Sequence, residues 1–173
     1  TKGTVMLKKC FKITAVAAVL VLVMALAGCG GGAALKPPAM KEGAVPVTVT
    51  GSCELTIDGD TITVSGEMDV PPQSLLRVSV ESQSGITLDS DVIVFEGKKI
   101  SREFKITEDK YGEGVVSIIG HITFSPRQYG KQPEEVYEKY GTKFENIRPD
   151  GINVLWNTNG NFVMFASEMV DLK

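Results

Sequence analysis

From Val45 onward apolar and polar side chains alternate almost without interruption, and a period of two is the signature of strands that bury one face. Val45, Val47 and Val49 alternate with Thr48 and Thr50. Cys53, Leu55 and Ile57 form a second run, which leads through Asp58-Gly59-Asp60 into Ile62, Val64, Gly66 and Met68. An Asp-Gly pair between two alternating runs predicts a hairpin, because glycine reaches the backbone angles that a tight turn demands. Pro71-Pro72 ends this ladder, since neither residue can donate a backbone hydrogen bond. Leu76, Val78 and Val80 alternate with Arg77, Ser79 and Glu81 to predict the next strand. Others follow at Ile86 to Phe95, Ile100 to Ile106 and Val116 to Phe124, with Gly97, Lys98 and Lys99 marking a turn. Turns recurring about every ten residues have the rhythm of a two-sheet sandwich.

One segment departs from this period. Gln132-Pro133-Glu134-Glu135-Val136-Tyr137-Glu138-Lys139-Tyr140-Gly141 places proline early, acids in the first turn, lysine near the end and glycine just beyond. These are helix start and stop signals. Val136 and Tyr140, four apart, share a face that packs on the sandwich, leaving Glu135 and Glu138 to solvent. Ile152 to Trp156 and Phe162 to Val170 then predict a closing hairpin around Asn157 to Asn161. The stretch from Pro126 to Pro149 thus reads as an insertion outside the alternating core, expected to matter more for capturing a partner than for stability.

The amino-terminal pattern is different in kind. Met6 is the expected start, with Thr1 to Val5 upstream of it. Lys8, Lys9 and Lys12 precede an apolar run from Ile13 to Leu26 broken only by Thr14, which is the order of a secretory signal. That run is shorter than the roughly 18 to 20 residues a membrane-spanning helix needs. Leu26-Ala27-Gly28-Cys29 closes it and resembles the lipobox of bacterial lipoproteins. The resemblance implies a thioether from diacylglycerol to Cys29, cleavage in front of it, and acylation of the new amino terminus. Two or three acyl chains suffice for stable anchoring where one gives only marginal residence. Gly30, Gly31 and Gly32, followed by Lys36-Pro37-Pro38 and Lys41-Glu42-Gly43, compose a stalk. The expected organisation is a signal peptide over 1–28, a lipidated linker over 29–44 and one β-sandwich domain over 45–173. The expected location is extracytoplasmic, lipid-anchored to the cell membrane or outer membrane.

Composition narrows the partners. Residues 1–28 hold four lysines and no acid, so the remaining chain carries 14 basic and 21 acidic residues and a net charge of −7. A chain so acidic, with no basic stripe, is not built to neutralise phosphates, which excludes nucleic acid. Of the three cysteines, Cys10 leaves with the signal, Cys29 takes lipid and Cys53 stands alone on the apolar side of a strand, so no internal disulfide is expected.

Catalytic motifs are absent from the sequence: it has no Gly-x-Ser-x-Gly elbow, His-Glu-x-x-His, phosphate-binding loop or paired-cysteine spacing. His121, the one histidine, shares an alternate face with Ser117, Ile119 and Thr123 and reads as a sheet residue. Asp58-Gly59-Asp60 and Asp89-Ser90-Asp91 read as turns stabilised by their own side chains. No cofactor, metal or catalytic residue is expected, and the chain is read as no enzyme. Tyr129, Tyr137 and Tyr140 are the candidates for partner contact, because amphipathic aromatics anchor interfaces and loops on rigid sandwiches carry binding. The expected function is a lipid-anchored, non-enzymatic interaction module for an envelope protein or peptide. The alternative is a cation- or small-molecule-binding accessory domain of a transporter or envelope enzyme.

The stretch from Val45 to Lys173 resembles immunoglobulin-like and fibronectin-III-like sandwiches of bacterial surface lipoproteins. The Gln132-Pro133-Glu134-Glu135-Val136 to Gly141 insertion before the last strands is similar to one in uncharacterised members. The resemblance implies an all-β, immunoglobulin-like β-sandwich with one short helical insertion.

Overall fold

The computed structural model describes residues 36–148 and 153–172. The signal segment, Cys29 and the glycines after it lie outside the described residues. In chain order the elements are β1 (Gly51–Asp58), β2 (Thr61–Met68), β3 (Leu75–Ser82), β4 (Thr87–Val94), β5 (Ile100–Lys105), α1 (Glu108–Tyr111), β6 (Ser117–Phe124), α2 (Glu134–Tyr140), β7 (Val154–Asn157), β8 (Gly160–Ala166) and β9 (Val170–Asp171).

Two antiparallel sheets result, one ordered β1-β2-β5 and the other β4-β3-β6-β8-β7, with β9 also pairing β6. In this order the first, second and fifth strands share one sheet, while the third and sixth sit side by side in the other. That is the strand order of an immunoglobulin-like sandwich. Beyond the expected helix, a single turn, α1, follows β5. It is too short for a helical period to show in the sequence.

The expected hairpin from β1 to β2 forms with Asp58 opposite Thr61, so Gly59 and Asp60 make a two-residue turn in which Gly59 takes φ +58°. The closing hairpin is equally tight, with Asn157 opposite Gly160. Asp89 and Asp91, expected in a turn, lie instead inside β4 opposite Val80 and Val78. Directly opposed residues share a face, so both carboxylates point toward the sandwich interior at its open edge. Arg102, opposite Val64 in β5, points there from the other sheet and forms an ion pair with Asp91. Inward-facing charge keeps an edge strand from pairing with another chain.

The core fills from both inner faces. Leu55, Ile62 and Val64 meet Leu76, Val78, Ile118, Ile122 and Phe124, all at most 8% exposed. Gly120 brings the layers together: a Cβ there would lie 3.1 and 3.2 Å from the methyls of Val64.

The run Val45 to Val49 does not continue as a strand. Val47 makes a single parallel bridge with Ile147, donating to Asn146 O at 2.8 Å and accepting from Arg148 N at 2.8 Å. Pro46, which has no N–H, cannot extend the ladder.

The insertion is not outside the core. Val136, Tyr140 and Phe144 are 0% exposed and Ile147 is 1% exposed, closing the end of the sandwich where β1, β3, β5 and β8 begin. Buried Gln132 clamps it there. Its Nε2 donates to Leu75 O and Ser125 O at 2.8 and 2.9 Å, and its Oε1 accepts from Leu75 N at 2.8 Å.

Candidate functional site

The three tyrosines do not converge. Tyr140 is fully buried, and its ring meets Phe124 and Phe144. Its hydroxyl reaches Asp69 O at 3.4 Å, and burial pushes its pKa up. Tyr137 is half-buried at the insertion surface. Its hydroxyl donates to Pro126 O at 2.7 Å and accepts from Gln132 N at 3.2 Å, so the polar end holds the loop together. Tyr129 is half-buried under the Arg77 guanidinium, which lies 5.8 Å from its ring centroid. Tyr137 and Arg127, Gly130 and Lys131 line a shallow hollow of about 330 Å³.

Of the four carboxylates named by the sequence, Asp60, Asp89 and Asp91 are each held by a separate cation. Lys105 Nζ stands 2.8 Å from Asp60 Oδ1 and holds that carboxyl below its ordinary pKa. Lys110 Nζ stands 2.9 Å from Asp89 Oδ2, and Arg102 takes Asp91. Among the described residues no three His, Cys, Asp or Glu side chains are grouped to hold a metal ion.

His121 sits on the outer face of the larger sheet between Ser79 and Ala166, and is 6% exposed. Its Nδ1 lies 3.5 Å from Glu81 Oε1, an electrostatic contact without hydrogen-bond geometry. The imidazole holds the Glu81 carboxyl below its ordinary pKa, against the burial that raises it. Cys53 points inward, its thiol donating to Gly120 O at 3.4 Å, and burial pushes its pKa up to about 12. A thiol so held carries little of the thiolate that reacts.

A different surface gathers exposed apolar side chains. At the end opposite the insertion, Gln83 N donates to Ser117 O at 3.1 Å and Gln83 Nε2 donates to Gly114 O at 2.7 Å. These bonds draw together the β3–β4 turn and the loop before β6. Ile86 and Val116 stand at 63% and 62% exposure there. Met169 joins them, its sulfur accepting from Ser117 Oγ at 3.2 Å while the side chain remains 48% exposed. Glu113, next to the Gly114 that Gln83 holds, and Asp171, opposite Ser117, bring negative charge beside them, whereas Lys105 and Lys110 are committed to ion pairs. The alternation did not mark Ile86 and Val116 as exposed, because both fall just outside strands and read as strand ends.

No family model, curated protein or solved structure matches this chain.

Proposed function

We propose that the chain is a lipid-anchored, extracytoplasmic, non-enzymatic interaction module. Cys29 carries the lipid, and the sandwich offers an envelope protein or peptide the apolar tip of Ile86, Val116 and Met169. Support for the anchor comes from the basic, apolar and small-residue order that ends at Cys29. The observation that carries the interaction reading is the exposure of Ile86 and Val116 on two loops joined by Gln83. Large apolar side chains brought together in water mark binding surfaces. An acidic surround favours a partner that is apolar at the centre of its contact and basic at its rim.

Tyr129 and Tyr137 are the less suited contacts. One is covered by Arg77, and the other spends its hydroxyl inside the loop.

The anchor is tested by mass spectrometry of the mature amino terminus. A diacylglyceryl Cys29 is expected in the wild type and none in Cys29→Ala, whose precursor should stay uncleaved by the lipoprotein route. The tip is tested by quantitative co-purification from native membranes. Ile86→Ser with Val116→Ser should lose partners that the wild type and Tyr129→Ala both retain. Equal retention by all three removes the tip from the reading.

A further inference from the structure

The chain reaches the sandwich at a defined place. Pro37, Pro38, Met40 and Pro46 lie against Ile147 and Asn161 in one surface hollow, and Lys41 Nζ stands 3.9 Å from Glu145 Oε1. The Val47–Ile147 bridge then fixes the stalk to the insertion. Proline keeps this segment extended and limits its freedom before docking. Only seven peptide bonds separate Cys29 from Lys36. Fully stretched, they span about 25 Å.

Charge divides between the two ends in the same sense. Residues 126–148 hold five basic and four acidic side chains, and residues 36–44 hold two basic and one acidic. The opposite end, residues 58–61 with 105–116, holds five acidic and two basic side chains. Arg127 and Lys131 flank the hollow beside Tyr137 at the insertion end. Near an anionic bilayer the basic side is drawn in and the acidic side is pushed away, over roughly one Debye length of about 8 Å at physiological salt.

From the docked stalk and this charge division we propose that the helical insertion is a bilayer-facing surface. It rests toward anionic headgroups and directs the Ile86 and Val116 tip outward. The proposal rests on the anchoring reading for the position of the tether. The insertion then has two roles, sealing the core and standing the domain upright, and the tip is the end left free for an envelope partner.

The experiment uses the native lipidated protein in vesicles of three parts phosphatidylcholine to one part phosphatidylglycerol, with a quencher on a fraction of the headgroups. In a Cys53→Ser background, a fluorophore is attached through Thr142→Cys at the insertion or Ser84→Cys in the β3–β4 turn, both exposed positions. The label at 142 should be quenched several-fold more than the label at 84, and the difference should shrink in high salt. Equal quenching, or stronger quenching at 84, overturns the proposal.

A second arm separates this from the anchoring reading. The chain from residue 29 onward, with Cys29→Ser and an amino-terminal histidine tag, is held on nickel-chelating lipid. It should show the same ordering of the two labels even if mass spectrometry finds no lipid on native Cys29. Moving the tag beyond Lys173, next to the β9 segment that pairs Ser117, should level or invert the pattern. An unchanged pattern there means the stalk does not set the orientation, and the proposal fails.

Discussion

The ring of Tyr140 stands edge-on to that of Phe124, with centroids 5.3 Å apart and planes at 80°. One belongs to the insertion helix and the other to the central strand β6, so this contact seals the insertion onto the sandwich. Phe144 completes the cluster at 4.5 Å from Phe124, although its backbone takes φ +53°. A bulky residue in that region costs about 1–2 kcal/mol. Burial of the ring sustains it.

Excision of Arg127 to Arg148 with a short glycine bridge is therefore expected to abolish cooperative unfolding, not to leave a folded sandwich. Loop closure alone would cost little. What is lost is the cover over Phe124. Tyr140→Ala should destabilise by about 3–5 kcal/mol, the range for deleting a large buried aromatic. Urea unfolding followed by fluorescence reads both, and a deleted domain with an unchanged midpoint would contradict the packing described.

Gly66 and Gly120 set how closely the sheets approach. A Cβ at Gly66 would press on Ser52 O of the neighbouring strand and lie 2.8 Å from the Ile122 side chain. Gly66→Ala is expected to cost more than Gly120→Ala, whose added carbon meets the movable Val64 methyls and, in ordinary contact at 3.4 Å, Leu55 Cβ. Overpacking of this kind costs about 1–3 kcal/mol. Thermal melts of the two variants decide the order, and a reversal would mean that the strands relax more readily than the methyls.

Much of the sandwich was legible in the alternation because each strand in it buries one face, and a slip of one residue would expose that face. The β1–β2 hairpin and the inward direction of Cys53, Leu55 and Ile57 follow from this. The period cannot report what lies across a gap in space. Asp89 and Asp91 look like turn residues because inward carboxylates contradict the pattern, and only Arg102 and Lys110, distant in sequence, explain them. Gln132 gave no sign of burial, since a polar side chain before a proline reads as solvent-exposed. The packing of Val136 and Tyr140 on the sandwich was legible in their helical spacing, but that spacing does not show how completely a face is covered, and full burial removes Tyr140 from the partner contacts. The candidate site was the least legible: the exposed tip depends on a long-range bond from Gln83 to Gly114.

Cys53 is expected to resist alkylation. With its pKa pushed up to about 12 by burial, almost no thiolate exists at neutral pH. Iodoacetamide at pH 8 should label the folded domain far more slowly than the urea-unfolded chain, as counted by intact mass. The unfolding midpoint should be indifferent to dithiothreitol, since Cys53 is the only cysteine from Val45 onward. Rapid labelling under native conditions would show that β1 opens at its free edge.

Glu81 ties stability to acid. The His121 imidazole, first among its neighbours, and also Arg77 and Thr87 hold its carboxyl below the ordinary value in the fold. The unfolded chain therefore binds a proton at Glu81 more readily than the folded chain does. Stability from this group is fully present above the ordinary carboxylate range and is lost as pH falls through the depressed folded value. Asp60 and Asp109 are shifted in the same direction at exposed positions, so part of the acid slope persists without Glu81. Urea midpoints measured between about pH 3.5 and 6 should rise with pH, and Glu81→Gln should flatten that rise without removing it. A slope identical in Glu81→Gln and the wild type would mean that the contact with His121 does not favour the ionised carboxyl.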